Sequence, residues 1–322
     1  MNTTVPSDAV STIERRWEGL ALGADGRVTP ESGPRPRSSG HGHSSPVGAR
    51  APMAELKTPD LAALPILSHP TEEASVFLPE NLLARAAEMK GTGGARIPPC
   101  CLLDFDGELL PVARERFGAR ETPEWPCFHT ALWVIEGDGF AMGLIGGTVG
   151  APFAVLVTEQ LIALGCRHVI GYSSAGAIAE GLRLPCLVVP DRALRDEGTS
   201  YHYLPPAPWV DAQGELPGLL ARHAEACGLP VHRGATWTTD APYRESATQI
   251  ASHRAAGILA VEMEAAALMA LAHRRQAEIG SLLHLTNAFA TSDSDFHKGE
   301  EGIHERVIRC CLSAFREALE RR

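Results

Sequence analysis

From about Leu61 onward, short apolar runs alternate with helix-length segments, each punctuated by glycine or proline. Phe140–Gly146 reads as a buried strand, and the turn Gly147-Thr148-Val149-Gly150 follows it. Pro152 suits the first turn of a helix running to about Leu164 and stopped by Gly165. His168–Ser173 and Cys186–Val189 read as the next strands. Leu216–Cys227 reads as a helix ended by Gly228, and Val231–Thr238 as a strand. Arg244–Ala256 is helical in pattern, with Gly257 as its stop. Ile258–Val261 is a short apolar strand leading into an Ala-rich helix to about Arg274. Ser281–Phe289 is strand-like, and Glu305–Glu320 has the spacing of a closing amphipathic helix. Such alternation predicts a largely parallel sheet with helices on both faces.

The chain has 322 residues, 44% of them hydrophobic, enough for one large core with a tail. The tail is legible too. Pro30–Pro52 is rich in Pro, Gly, Ser and Arg and lacks apolar residues to offset ordering entropy. Residues 1–59 are therefore expected to be a disordered extension, and 60–322 the folded domain. The net charge of −10 gives no general attraction to nucleic acid and suits a small substrate. No apolar run reaches bilayer length, and Arg15-Arg16 is followed by no apolar segment. The eight cysteines include no CxxC and form no zinc-like cluster with histidines. Reduced thiols, a cytoplasmic location, no membrane partner and no metal are the expectations.

Four constellations carry chemistry. In Val261-Glu262-Met263-Glu264-Ala265, two carboxylates two residues apart share one side of an extended segment. They suit a vicinal diol, such as the 2′- and 3′-hydroxyls of ribose; on the residues alone, the reading that prevails is that one or both cap the helix that follows. Gly146-Gly147-Thr148-Val149-Gly150 exposes backbone N–H groups between a strand and a helix, which can cradle an anion. It lacks the Gly-Lys-Ser/Thr of a Walker loop, and glycine there also serves turn geometry alone. Gly171-Tyr172-Ser173-Ser174-Ala175-Gly176 is close to a nucleophile elbow without matching GxSxG, so its hydroxyls are open to a phosphate, a water or a polar turn. Asn287, near the end of a strand, carries an amide that can both donate to and accept from a nucleobase edge.

Five segments in order, GTVGAPFAVLVTEQLIALG (147–165), SSAGAI (173–178), RALRDEGTSYHYLPP (192–206), GATWTTDAPYRE (234–245) and AVEMEAAAL (260–268), resemble the purine nucleoside and uridine phosphorylase family. The likeness spans roughly Cys100 to Asp295, and EMEAAA is its most specific piece. It implies a three-layer α/β/α fold with a mixed central sheet and a homo-oligomer. It also implies phosphate-dependent cleavage of a purine or pyrimidine nucleoside to free base and pentose 1-phosphate. Inorganic phosphate would be the co-substrate, with no other cofactor. By the same resemblance Glu264 takes the ribose diol, Met263 lies against the sugar, and Glu262 is a neighbouring acid. Ser174 matches the phosphate-binding serine or threonine, and Gly147 lies in the matching glycine turn. Tyr243 lies near the base pocket, and Asn287 falls where the purine enzymes contact the base, so Asn287 and Glu264 are the candidate catalytic residues.

Two positions depart from the pattern. Many family members place an arginine three residues before the phosphate-binding serine, where this chain has Gly171. Losing a guanidinium removes a bidentate contact to phosphate. The Gly-Asp turn that opens the family's fold has Leu103-Asp104-Phe105-Asp106-Gly107 as its nearest counterpart. Asn287 also stands where bacterial hexameric purine enzymes use an aspartate as general acid. Three alternatives stay open at this point: a nucleosidase using water, a serine esterase using Ser173 or Ser174, and a nucleoside-binding protein without turnover.

Overall fold

In the computed structural model, which describes residues 20–22, 28–30, 64–92, 96–137, 139–288 and 302–321, the chain divides into two units, Met1–Lys57 and Thr58–Arg322. In the first, β1 (Leu20–Leu22) pairs antiparallel with β2 (Val28–Pro30). The rest of the extension expected to be disordered lies outside the described residues.

The second unit holds seven helices among its described residues. In chain order it runs α1 (Pro79–Lys90), β3 (Cys100–Asp104), α2 (Leu109–Phe117), β4 (Arg120–Thr122), β5 (Leu132–Glu136), β6 (Ala141–Gly146) and α3 (Ala151–Ala163). Then follow β7 (His168–Ala177), β8 (Cys186–Asp196), β9 (Trp209–Asp211), α4 (Leu216–Ala226), β10 (Val231–Thr239) and α5 (Ala247–Ala255). β11 (Ile258–Glu262), α6 (Ala265–Arg275), β12 (Glu278–Ala288) and α7 (Ile303–Glu320) complete it. The strand order is β11-β10-β8-β12-β7-β3-β6-β5-β4, with β9 on β8 and an added pairing of β11 with β7.

The sheet is mixed. Pairs β3–β6, β3–β7, β7–β12, β8–β10 and β10–β11 are parallel. Pairs β4–β5, β5–β6, β8–β12, β8–β9 and β7–β11 are antiparallel. The largely parallel sheet predicted from alternation is thus corrected to a mixed one: β4 and β5 join one edge as hairpin strands, and β8, which follows β7 with no helix between, runs antiparallel to β12 within the sheet. A second correction concerns Arg244–Ala256. Pro242–Arg244 forms a separate 3-10 turn, and α5 begins only after Ser246, whose hydroxyl and Gln249 form a reciprocal cap.

Strand alternation sorts side chains into two cores. On β3, Cys100 and Leu102 join the cluster under α2, α4 and α7, while Cys101 and Leu103 join the one under α3 and α6. These clusters make the three layers of helix, sheet and helix. All eight cysteines are unpaired, and seven are buried. Among the described residues, no helix is long and apolar enough to cross a membrane.

One irregularity positions the site. On one edge, β7 pairs with β3 only as far as Asp104↔Tyr172, and with β11 only from Val261↔Gly176. Ser173, Ser174 and Ala175 therefore face a gap on that edge, at the carboxyl ends of β3 and β6. Open α/β sheets place ligands at such breaks in strand order.

Candidate active site

Two acid–x–acid pairs flank this gap, and each is built the same way. In the first, Glu262 ends β11 and caps the helix that follows. Its Oε2 accepts from the N–H groups of Glu264 at 2.8 Å and Ala265 at 2.6 Å. Its Oε1 accepts from the hydroxyls of Thr238 at 2.6 Å and Thr236 at 3.3 Å. Glu264 turns instead across the gap. Its Oε1 accepts from Gly150 N–H at 2.6 Å, at the start of α3. Its Oε2 accepts from Met263 N–H at 3.3 Å and from Ser173 Oγ at 3.4 Å. The two roles left open by the sequence are thus divided: Glu262 is the helix cap and Glu264 the acid presented to the gap.

The second pair is Asp104 and Asp106. Asp104, fully buried, caps α2 by accepting from Glu108, Leu109 and Leu110 N–H at 3.1, 2.8 and 3.1 Å. Asp106 reaches the gap, where its Oδ2 accepts from Ser174 N–H at 2.7 Å. Between them, Phe105 inserts under β7. A Cβ on Gly171 would lie 2.6 Å from Phe105 Cζ and 2.9 Å from Cε2. The position where the family resemblance leads one to expect an arginine is thus filled by a phenyl ring.

Burial sets the protonation of these acids. Glu264 is 1% exposed, and burial raises its pKa first, with the Glu262 charge adding to the effect. Glu262 is raised by burial against the opposing hydrogen bonds of Thr238 and the α6 backbone. Burial also pushes Asp104 up to about 6, although three backbone N–H groups favour its charged form.

The structure gathers most of the residues singled out from sequence. Met263 lies half-buried between the two glutamates. Gly147 and Gly150 have φ of 74° and 91°, so the turn from β6 into α3 requires glycine at both. Gly147 N–H donates to Asp104 O at 2.9 Å, which ties this turn to the end of β3. Ser174 is half-buried, and it is Ser173 whose hydroxyl reaches Glu264. Neither serine sits on a strand-to-helix elbow, because β7 continues to Ala177. Gly176 pairs with Val261 on one side and Asn287 on the other, beside a bulge in β12. The side chain of Asn287 lies outside the described residues. Tyr243 lies on the Pro242–Arg244 turn, 99% exposed. Asp106 and Phe105 are additions to the candidate site; the sequence marks their run, Leu103–Gly107, only as the nearest counterpart of the family's opening Gly-Asp turn. No three His, Cys, Asp or Glu side chains are grouped to hold a metal among the described residues.

This arrangement of strand-end acids around a glycine turn accompanies a match along the chain. Residues 100–316 match the model of the phosphorylase superfamily. The chain belongs to that superfamily. It is 29% identical over 188 residues to a guanosine phosphorylase of Halorubrum lacusprofundi, covering 55% of this chain and 76% of that one. It is 30% identical over 180 residues to a DeoD-type purine nucleoside phosphorylase of Colwellia psychrerythraea, covering 55% and 76%. It is also 30% identical over 145 residues to a uridine phosphorylase of Thermococcus kodakarensis, covering 44% and 51%.

Proposed function

We propose that this chain cleaves the N-glycosidic bond of a nucleoside, purine or pyrimidine, holding the pentose at Glu264. The observation that carries this is the Glu264 carboxylate. It is 1% exposed, bonded among the described residues by N–H groups and one hydroxyl, and turned away from the helix its neighbour caps. A carboxylate so placed keeps acceptor capacity for the adjacent hydroxyls of a ribose. Anchoring the sugar there lets binding energy act on the bond at C1′, where positive charge develops as the base departs. Asn287, paired beside Gly176, would assist the leaving base.

The names of the relatives support phosphate as the nucleophile, entering near Ser174 and the Gly147 turn and yielding base and pentose 1-phosphate. A second reading, hydrolysis, is favoured by one observation: Phe105 fills the space at Gly171. The test is incubation with inosine, guanosine, adenosine and uridine, each with and without phosphate, and identification of the sugar product. Glu264→Ala is expected to lower kcat/KM by roughly a hundredfold or more, the loss of about 3 kcal/mol of charged hydrogen bonding. Unchanged kcat/KM in that variant would place the pentose elsewhere.

A further inference from the structure

Residues 64–78 lie ahead of the stretch that matches the superfamily, and they run against the 3-10 turn Thr199–His202 and the last turn of α6. Ile66, on the 3-10 turn Pro65–Leu67, sits on the backbone of Gly198. A Cβ there would meet Ile66 Cδ1 at 3.4 Å and Asp240 Oδ2 at 3.6 Å. The His69 and His202 rings lie 4.0 Å apart between centroids. Glu72 pairs with Arg274 at 3.1 Å, and Glu80, at the start of α1, lies 3.7 Å from Arg275.

Both places where this segment is fastened lead to the acid pair. Gly198 N–H donates to Asp240 Oδ2 at 2.8 Å, and Asp240 directly follows β10. Two residues earlier, the Thr238 hydroxyl donates to Glu262 Oε1 at 2.6 Å and accepts from Ala266 N–H at 2.9 Å. Arg274 and Arg275 end α6, the helix that Glu264 opens. The segment therefore holds the end of β10 at one point and the far end of α6 at another. It is not part of the packed interior. None of residues 64–78 joins the two largest buried clusters, and Val76 and Phe77 are exposed. Its ion pairs involve exposed glutamates, and such pairs are weak singly. A segment so attached can open without unfolding the rest of the chain.

We propose that residues 64–78 form an intramolecular strap that keeps the Asp240 turn and α6, and with them Glu264, in the arrangement that binds the nucleoside. Substrate affinity then scales with the fraction of chains in which the strap is seated. This rests on the nucleoside reading above. Ile66 and Glu72 are positioning residues, acting through Gly198 and through Arg274.

Hydrogen–deuterium exchange and steady-state kinetics on the full chain test this. Ile66→Asp brings a second carboxylate to Gly198 beside Asp240 and should lift the strap. Amides of residues 238–246 and of α6 should then exchange faster. KM should rise about tenfold with kcat little changed. The melting temperature should stay close to that of the wild type, because Ile66 lies outside the two clusters. A charge swap is the milder probe and decides the matter should Ile66→Asp prove unstable. Arg274→Glu alone should raise KM about threefold, and adding Glu72→Arg should restore it. Wild-type exchange and KM in Ile66→Asp would overturn the strap, as would a KM in Arg274→Glu that Glu72→Arg leaves unrestored. Faster exchange with a wild-type KM would overturn its link to substrate affinity. If the wild type cleaves no nucleoside, the nucleoside reading falls, and exchange alone decides whether the strap holds the Asp240 turn and α6.

Discussion

Gly171 and Phe105 form a single packing unit, since one leaves the space that the other occupies. Adding even a methyl group at Gly171 forces the ring to move within a close-packed core. Gly171→Ala is expected to destabilise the protein by about 1–3 kcal/mol. Phe105→Leu in the same chain should recover part of that loss, and denaturant melts of the two single variants and the double variant measure the coupling. Glu264 makes a second residue-scale prediction. Burial and the Glu262 charge raise its folded pKa above the ordinary 4.5. The folded chain therefore binds more protons than the unfolded one across the interval above that value, and stability falls as pH rises through it. Glu264→Gln removes the titration, so its melting temperature should fall less steeply with pH than that of the wild type over the same range. Parallel slopes would refute the assignment.

At the scale of elements, two strand ends repeat one device. Asp104 and Glu262 each terminate a strand, cap the next helix with backbone N–H bonds, and leave the acid two residues on to face the gap. Glu262→Ala would strip the cap from α6 and leave the Thr236 and Thr238 hydroxyls without this acceptor. A loss of about 2–4 kcal/mol is expected, read from the denaturation midpoint. The sequence made the EME segment conspicuous because both glutamates precede an Ala-rich helix. It could not divide their roles, since a cap and a ligand-facing acid have the same side chain. The Asp104–Asp106 pair was harder to read. The helix after it has Pro111 in its first turn and no Ala-rich run to mark it. The edge strands β4, β5 and β9 had no sequence expectation at all; each is five residues or fewer, and their partners rather than their own pattern make them strands.

For the whole molecule, the two largest buried clusters draw, among the described residues, on residues 97–319 of the unit Thr58–Arg322. A chain beginning at Thr58 is expected to unfold cooperatively, with a melting temperature close to that of the full chain. A broad, non-cooperative transition would show that residues 1–57 contribute to the core. The same layering explains why the site sits where it does. β3 stops at Asp104, β11 enters only at Val261, and among the described residues no strand pairs with the edge of β7 between them.

Local patterning accounts for the alternation of strands and helices, their three layers, the glycine turn at 147–150 and the paired acids at 262–264. These are local: each rests on periodicity, on a glycine that a positive φ demands, or on residues adjacent in the chain. Tertiary structure alone decided which acid faces the gap, that Phe105 occupies the place beside Gly171, and that Asp106 holds the N–H of Ser174. Those outcomes depend on contacts between residues more than sixty positions apart, and a hydrogen bond across a break in the sheet leaves no periodic mark in either segment.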